Sequence, residues 1–581
     1  MTTPAPHDGT EKAIFGLVGV AGLVGVLWAA GETSARLTGH PAPHGYPMGE
    51  LAAFSHVGDP SLGWHAPVGP AYVYWAITFA FLAALVALGY GIYRLFRHNP
   101  TVQEHPMGVA TRREVKATAS SAALMARAST LRPSIEKPLP HQVGYRLGHA
   151  HGIPCWVSVE DSMLLLGPPR SGKGYNIVIP MILDAPGAVV TTSTRPDNLT
   201  LTMAARAAGG RPVAVFDPQG LAPAGSHLPS LRWSPVRGCE RPQTAMIRAV
   251  ALAGTSEGNV ENGSFWKQQT LSALGCLLHA AALDDRPPSD LYRWSHAAGG
   301  AKEAVSILTQ APGATPGWDR ALDAIISAEQ RTRDSVWAMV ANAFAPLADP
   351  AVLASMTPAP GEEFDPVDFL AKQGSLYLLG TATGASATAT FVAALIEDIV
   401  DAARRLAARS PGARMDPPVA LVLDEAANYP LPSLPALMSE GGGSGITTLA
   451  VLQSLAQARD KWGREPAGAI WDSAIVKVVL GGLSNADDLA DISRLIGERE
   501  YDDYSISKGQ GVSVSTSTRM KPILQPSEIR RIKIGHGLLL LRSSDPIMMT
   551  LSPWTARKDH EILVEARKEF EAAMRAGAQN A

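Results

Sequence analysis

The sequence is poor in cysteine: Cys155, Cys239 and Cys276 are the only three. They form no CxxC pair, so neither a zinc site nor a disulfide framework is indicated, and a reducing compartment is expected. HExxH is absent as well. Of the 15 histidines, His40, His44, His56 and His65 lie between the first two apolar segments, without a carboxylate spacing that would make a metal site. Neither sign of charge dominates, with 50 Lys+Arg against 53 Asp+Glu and a formal net charge of -3. That balance excludes a basic protein that coats nucleic acid, so any DNA contact must be local, in a groove or pore. Charged residues make up 18%, below the roughly 25% of ordinary soluble domains, which suggests a membrane portion. The 46% hydrophobic content excludes disorder of the whole chain. No internal repeat is present, and 581 residues leave room for about two to four domains.

Two long uncharged runs stand at the start, Ala13–Ala30 and Ala71–Tyr93. A spanning helix needs about 20 apolar residues, and the second run meets that. The first is shorter and carries Gly16, Gly19, Gly22 and Gly25, a spacing that lets helices approach closely. Asp8 and Glu11 precede it beside Lys12, so the basic start of a signal peptide is lacking and a retained span is expected. Residues 31–70 hold one cation, Arg36, whereas Arg94, Arg97, Arg112 and Arg113 follow the second run. Positive charge stays inside, so the chain beyond Tyr93 is expected in the cytoplasm. Trp28, Tyr72, Tyr74, Trp75 and Tyr93 sit near the span ends, as interfacial aromatics do.

Beyond residue 150, short apolar runs bounded by Gly, Pro or Asp recur, as buried parallel strands require. They are Met163–Leu166, Ala188–Thr192, Pro212–Phe216, Ser375–Leu379, Val419–Leu423, Thr447–Leu452, Ile475–Leu480, Gly537–Leu541 and Ile547–Leu551. Helical patterns between them make the fold class α/β. From Pro235 to Asp365 strand signals vanish, and Thr244–Ala253, Phe265–Leu283, Ala301–Thr309, Asp319–Phe344 and Val352–Met356 read as helices. The expected organisation is a membrane anchor over 1–97, with spans near 13–30 and 71–93. An α/β domain is built from 98–237 and 366–581, with an all-helical insertion over 238–365. Asp502–Thr518, rich in serine, reads as a long polar loop, and Asp559–Arg575 as a charged, solvated helix.

One constellation carries chemistry. Gly167, Pro168, Pro169, Arg170, Ser171, Gly172, Lys173, Gly174 and Tyr175 follow the strand Met163–Leu166 and open a helix. This is GxxxxGK, with Gly174 where Ser or Thr usually stands. Glycines let backbone N–H groups curl around phosphate oxygens, the helix start adds partial positive charge, and Lys173 adds a full one. The missing hydroxyl leaves Mg²⁺ to rely on water, phosphate oxygens and a second acidic motif. That motif ends the strand Val419–Leu423, where Asp424 would hold Mg²⁺ and Glu425 would act as general base. Gln453, with Ser454, ends the strand Thr447–Leu452 and can contact the γ-phosphate or its water. For charge supplied by a neighbouring subunit, Arg494 in a segment after Ile475–Leu480 is the first candidate and Arg542 the second.

These residues carry a resemblance. GPPRSGKG with Ile179-Pro180, then LVLDEAANYP, then LQSLAQ with Trp462-Gly463, resembles the type IV secretion coupling proteins, the conjugative DNA-transfer ATPases of the TraG/TraD kind. Thr192-Ser193-Thr194-Arg195, Phe216-Asp217-Pro218, Trp233-Ser234-Pro235 (Ser234 for the family's Asn) and Phe265-Trp266 agree with it, as does the amino-terminal hairpin. The family's TraG-like branch often has Gly after the lysine. The resemblance implies a RecA-like P-loop NTPase behind a two-helix transmembrane hairpin in the cell membrane, forming a homo-hexamer. It further implies ATP and Mg²⁺ as cofactors. Its partners would be single-stranded DNA with attached relaxase and relaxosome proteins, and secretion-channel components. The nearest alternative is an FtsK/SpoIIIE-like translocase of double-stranded DNA, which would normally carry a carboxy-terminal winged-helix reader. A further alternative is a membrane adaptor that binds nucleotide without hydrolysing it, against which Lys173, Asp424 and Glu425 argue.

Overall fold

A computed structural model describes residues 24–43, 49–97, 108–194, 196–220, 229–255, 263–380, 385–508 and 512–580. The chain divides into two compact units, Met1–His105 and Pro106–Ala581.

In the first unit residues 24–37 and Ala71–Arg97 are helical. Among the described residues one helix is long and apolar enough to span a membrane, over Ala71–Leu88. Most of the expected first span, 13–23, lies outside the described residues, so the two-helix hairpin remains an expectation. Between the two helices the described residues also fold. Asp59 accepts a hydrogen bond from Ser61 N at 3.2 Å and so caps the short helix Pro60–Trp64. Trp64 is buried with Ala30, Ala53, Val68 and Tyr74. Gly31 permits this, because a Cβ there would come within 2.4 Å of the Trp64 ring. His40, His56 and His65 are exposed, His44 lies outside the described residues, and no metal-ligating group of three gathers among the described residues.

The second unit is built on strands β1 (Gly144–Ala150), β2 (Ile153–Ser158), β3 (Met163–Leu166), β4 (Val189–Ser193), β5 (Val213–Phe216), β6 (Ser375–Leu379), β7 (Val419–Leu423), β8 (Ile446–Leu452), β9 (Val476–Leu480), β12 (His536–Leu541) and β13 (Ile547–Leu551). They form one sheet in the order β2-β1-β13-β12-β9-β3-β8-β7-β4-β6-β5. From β9 to β5 the strands are parallel, and from β12 to β2 neighbours alternate. The parallel strands are buried on both faces, which is why they read as unbroken apolar runs. Along them alternate residues serve two cores: Leu164, Leu166, Leu421 and Leu423 belong to one, Met163, Leu165, Ala420 and Val422 to the other. Truncating one such leucine to alanine costs about 2–5 kcal/mol.

The insertion between β5 and β6 is helical, with Pro242–Ala253, Gly263–Leu283, Pro288–Ser295, Lys302–Gln310, Trp318–Ile326, Gln330–Phe344 and Pro350–Ser355. Leu274, Leu277, Leu278 and Ala281 of the long second helix are buried at its centre. The single helix expected over 319–344 is two, because Glu329 caps a new start by accepting from Thr332 N at 3.2 Å. Trp233 Nε1 donates to Asp398 at 3.1 Å and Arg248 pairs with the same carboxylate at 2.8 Å, tying the insertion to helix Ala385–Ala408.

Two further expectations are corrected, and two strands are added. Residues 502–518 belong to an antiparallel ribbon of β10 (Glu498–Lys508) and β11 (Val512–Pro522), paired from Glu498↔Pro522 to Lys508↔Val512. The serines there alternate with Tyr, Ile, Val and Thr, a pattern that suits a pleated strand. The final helix, His560–Asn580, is not simply solvated, since Leu563 is buried with Ile179, Leu201 and Trp554. β1 and β2 precede β3 without having been anticipated.

Candidate functional site

β3, β8 and β7 lie side by side and parallel. Their carboxyl ends therefore deliver Gly167, Gln453 and Asp424-Glu425 to one edge of the sheet. Gly167 N donates to Leu452 O at 3.1 Å, fastening the loop to the end of β8. Arg170 (φ 62°) and Gly172 (φ 85°) turn the loop through left-handed conformations. A Cβ on Gly172 would also come within 2.6 Å of Asn176 Nδ2, which donates to Gly172 O at 2.9 Å. Ser171 Oγ donates to Pro168 O at 2.8 Å. A wide turn over Gly174–Val178 runs directly into helix Ile179–Asp184. Lys173 Nζ donates to Gly167 O at 2.6 Å and Pro168 O at 3.1 Å, so the ammonium is held inside its own loop by neutral acceptors. Burial lowers its pKa, and the nearby charges of Asp424 and Glu425 oppose that shift.

Asp424 is raised to about 6, first by burial and then by Glu425, against the pull of Lys173. Thr192 Oγ1, at the end of β4, donates to Asp424 O at 2.7 Å. Glu425 takes the left-handed conformation (φ 53°, ψ 47°), uncommon for a residue with a Cβ. Its Oε2 accepts from Asn428 Nδ2 at 2.9 Å. Gln453 is half-buried between the loop strand and the acidic strand, and Ser454 caps helix Leu455–Trp462 by accepting from Gln457 N at 3.2 Å. The structure thus gathers Gly167 to Lys173, Asp424, Glu425 and Gln453.

Tyr175 is engaged elsewhere. Its hydroxyl meets Thr555 Oγ1 and its ring stands edge-on to Trp554 at 6.0 Å. Arg494, on helix Ala486–Ile496, is exposed and pairs with Asp491 at 2.6 Å. Arg542 bonds Asp161 at 2.6 Å, just before β3, and so lies at the opposite edge of the sheet from the loop. Arg195 lies outside the described residues. Sequence reasoning passed over Asn428 and Tyr429. Asn428 earns a place only once the backbone turns at Glu425. Tyr429 has a buried hydroxyl without a hydrogen-bond partner among the described residues, and burial, Glu425 and Asp217 raise its pKa.

Residues 418–533 match the family model of the TraM recognition site of TraD and TraG. No curated protein sequence matches the chain. Among solved structures, the bacterial conjugative coupling protein TrwBdeltaN70 in its unbound form is 16% identical over 76% of this chain and 93% of its own, with a TM-score of 0.52. The plasmid coupling protein TrwB with the non-hydrolysable GTP analogue GDPNP is 15% identical over 76% and 94%, with a TM-score of 0.54. TrwB in complex with ADP and Mg²⁺ is 16% identical over 75% and 94%, with a TM-score of 0.51. At these identities the likeness is one of fold, that of a P-loop NTPase with a helical domain. The matched segment, which opens one residue before the acidic strand β7, and the shared fold together support a type IV coupling protein of the TraG/TraD family.

Proposed function

We propose that the chain is a membrane-anchored ATPase that recruits relaxase-bound single-stranded DNA and drives it into a type IV secretion channel. One observation carries the reading: a lysine loop, a glutamine and an acidic pair end three adjacent parallel strands. The residues fit ATP and Mg²⁺, which TrwB structures hold as analogue or product. When bound, Mg²⁺-ATP supplies the phosphoryl group and neutralises charge on its oxygens. Phosphate oxygens are stronger acceptors than the Gly167 and Pro168 carbonyls, so Lys173 can exchange one set for the other without leaving its loop. Asp424 holds the ion. Glu425 takes a proton from the attacking water, with Asn428 fixing one carboxylate oxygen. Gln453 orients that water.

Charge developing on the transferred group calls for an arginine from a neighbouring subunit. Arg494 suits the role, because an exposed pair such as Arg494–Asp491 contributes little and is readily exchanged. The working unit is then a homo-hexameric ring in the cell membrane with the motor in the cytoplasm. The helix Ala71–Arg97 supports the anchor, and the TraM-recognition match over 418–533 supports a relaxosome partner.

The test is ATP turnover by the purified full-length protein with and without single-stranded DNA. Stimulation by single strands is expected. Stimulation by duplex alone would instead favour an FtsK/SpoIIIE-like translocase, and binding without turnover an adaptor. Mixing Lys173→Ala chains with Arg494→Ala chains should restore activity that neither shows alone. Full activity of Arg494→Ala by itself rejects that arginine.

A further inference from the structure

In the first unit the segment before Ala71 does not stand beyond the helix ends but folds back alongside them. Trp64 sits against Gly31, six residues before the first helix closes at residue 37, which is about 9 Å along its axis. Trp75 lies four residues, roughly 6 Å, into Ala71–Arg97. Its ring stands 5.4 Å from that of Phe54, and its Nε1 donates to Val57 O at 2.9 Å. Gly63 lets Pro60–Trp64 press on Ala52, where a Cβ would come within 2.6 Å of the backbone. The segment is thus fastened beside the opening turns of the helix whose Ala71–Leu88 portion is apolar enough to cross a membrane.

Gly49–Ala52 is an α-helical turn that continues into the 3₁₀ turn Ala53–His56. A three-residue step keeps side chains on one side of such a turn, and Leu51, Phe54 and Val57 follow that step. Ala53, between them, is buried with Trp64 and Tyr74. Leu51, Phe54 and Val57 are instead exposed, at 39%, 48% and 58%. Asp59 is the only acid or base other than histidine from Leu51 to Pro70, and it is engaged in capping Pro60–Trp64. The spanning helix itself exposes Tyr72 and Phe79. Through the Phe54–Trp75 contact the stripe continues that apolar surface. Three half-exposed side chains offer far less than the roughly 800 Å² per partner that a stable protein interface buries. They do suit the boundary between headgroups and acyl chains, into which an interfacial helix sinks its apolar face by about 5–10 Å.

We infer that residues 49–64 lie in the lipid surface at the amino end of Ala71–Arg97, with Leu51, Phe54 and Val57 against acyl chains and Asp59 among the headgroups. The inference rests on the membrane anchor proposed above and extends it: the segment before the span belongs to the anchor and is not a loop in water. Tyr72, Tyr74 and Trp75 stand at the same level, where aromatic side chains gather at a bilayer boundary. An amphipathic turn held there resists tilting of the span, because any tilt drags apolar side chains out of lipid.

The full-length protein is labelled with a nitrobenzoxadiazole probe at one introduced cysteine, Val57→Cys, Phe79→Cys or Ser543→Cys, and placed in phosphatidylcholine–phosphatidylglycerol vesicles. Cys155, Cys239 and Cys276 are buried, and a blank without the introduced cysteine corrects for them. Ser543, exposed in the second unit, is the aqueous reference, and Phe79, exposed on the spanning helix, is the reference for lipid. Lipid with a nitroxide near the headgroup end of its acyl chain should quench the Val57 probe about twofold or more above the Ser543 probe. Aqueous iodide should do the reverse. Leu51→Ser combined with Phe54→Ser should bring lipid quenching at position 57 down toward the Ser543 level and leave Phe79 unchanged. A Val57 probe quenched by iodide and not by lipid, beside a lipid-quenched Phe79, would overturn the inference and spare the anchor. Loss of lipid quenching at Phe79 as well would overturn the anchor itself. Excimer emission from pyrene at position 57, in place of lipid quenching, would assign the stripe to a second copy of the chain and reject lipid. Quenching at 57 that survives the double serine change would reject the stripe as its cause.

Discussion

The two ends of the parallel strands are built on opposite terms. At the amino ends of β3, β7 and β8, charges are paired. Glu160 holds Arg127 at 2.5 Å and Arg414 at 3.4 Å, Asp161 holds Arg542 at 2.6 Å, and Asp416 holds Arg132 and the Ser134 amide. Arg414 also reaches Thr130 O at 2.6 Å and Gly442 O at 3.2 Å. At the carboxyl ends of the same strands, Lys173 donates to two carbonyls, Glu425 sits in a left-handed conformation, and Asp424 is pushed up to about 6. One rim uses its charges to fix the fold, and the other keeps them available for a ligand. Strained and unpaired groups survive where the surrounding structure over-determines them, and here that structure is the buried parallel sheet whose strands carry them.

The comparison can be broken from either side. The largest effect is expected at the paired rim. Asp416→Ala strands the buried Arg132, whose side chain is 8% exposed, and should cost about 3–5 kcal/mol in denaturant unfolding. Turnover per folded molecule should stay near normal, and a specific rate that falls as much as stability would erase the distinction between the rims. The Asp416 carboxyl is held below its usual value: burial works against this, but the Ser134 and Arg132 contacts outweigh it. Its contribution is therefore present above about pH 4 and is lost as pH falls through the folded value. Asp416→Asn should flatten that acid limb in melts recorded across the range.

Next in size come the site residues. Lys173→Ala and Glu425→Gln should each lower turnover by about 10²-fold or more. Neither should lower the melting temperature, and Glu425→Gln should still bind ATP in equilibrium dialysis. Near-normal turnover of Glu425→Gln would take the base role from this residue. A smaller effect is expected for Arg542→Ala, because Arg542 is partly exposed and Asp161 keeps its bond from Ser158 N at 2.7 Å. The loss should be no more than about 1 kcal/mol with turnover unchanged. Smallest is Gly174→Ser. A Cβ there meets nothing within 4 Å, so the hydroxyl that related loops place on Mg²⁺ can be added without a clash. Half-maximal Mg²⁺ for turnover should fall severalfold, by roughly one hydrogen bond's worth, while a rise would show that the loop is shaped for glycine.

Legibility in the sequence followed the same divide. β3, β6 and β7 match the apolar runs residue for residue, because strands buried on both faces must be apolar throughout, and β13 matches as well although Thr550 on it is exposed. The loop and acidic pair were readable because phosphate chemistry restricts which residues can stand there. β1 was not, since exposed Arg146 and His149 interrupt it at the antiparallel side of the sheet. The ribbon β10–β11 hid behind serines, whose turn preference outweighed the alternation with Tyr, Ile and Val. Asn428 had no periodic signal at all. Its role depends on the backbone turn at Glu425, which no pattern of residue types announces.

The packing of the carboxy-terminal segment has a practical side. Thr555 and Trp554 meet Tyr175 directly behind the lysine loop, and Leu563 covers Ile179 and Leu201 of the adjoining helices. The tail therefore backs the lysine loop and is not a free handle. Truncations that remove residues from 554 onward will uncover apolar side chains and unseat the loop, and will read as nucleotide-site defects before they read as a lost partner. Tags intended to leave the fold untouched belong after a flexible spacer beyond Asn580, and deletion scans of this region need an ATP-binding control before any recruitment phenotype is assigned.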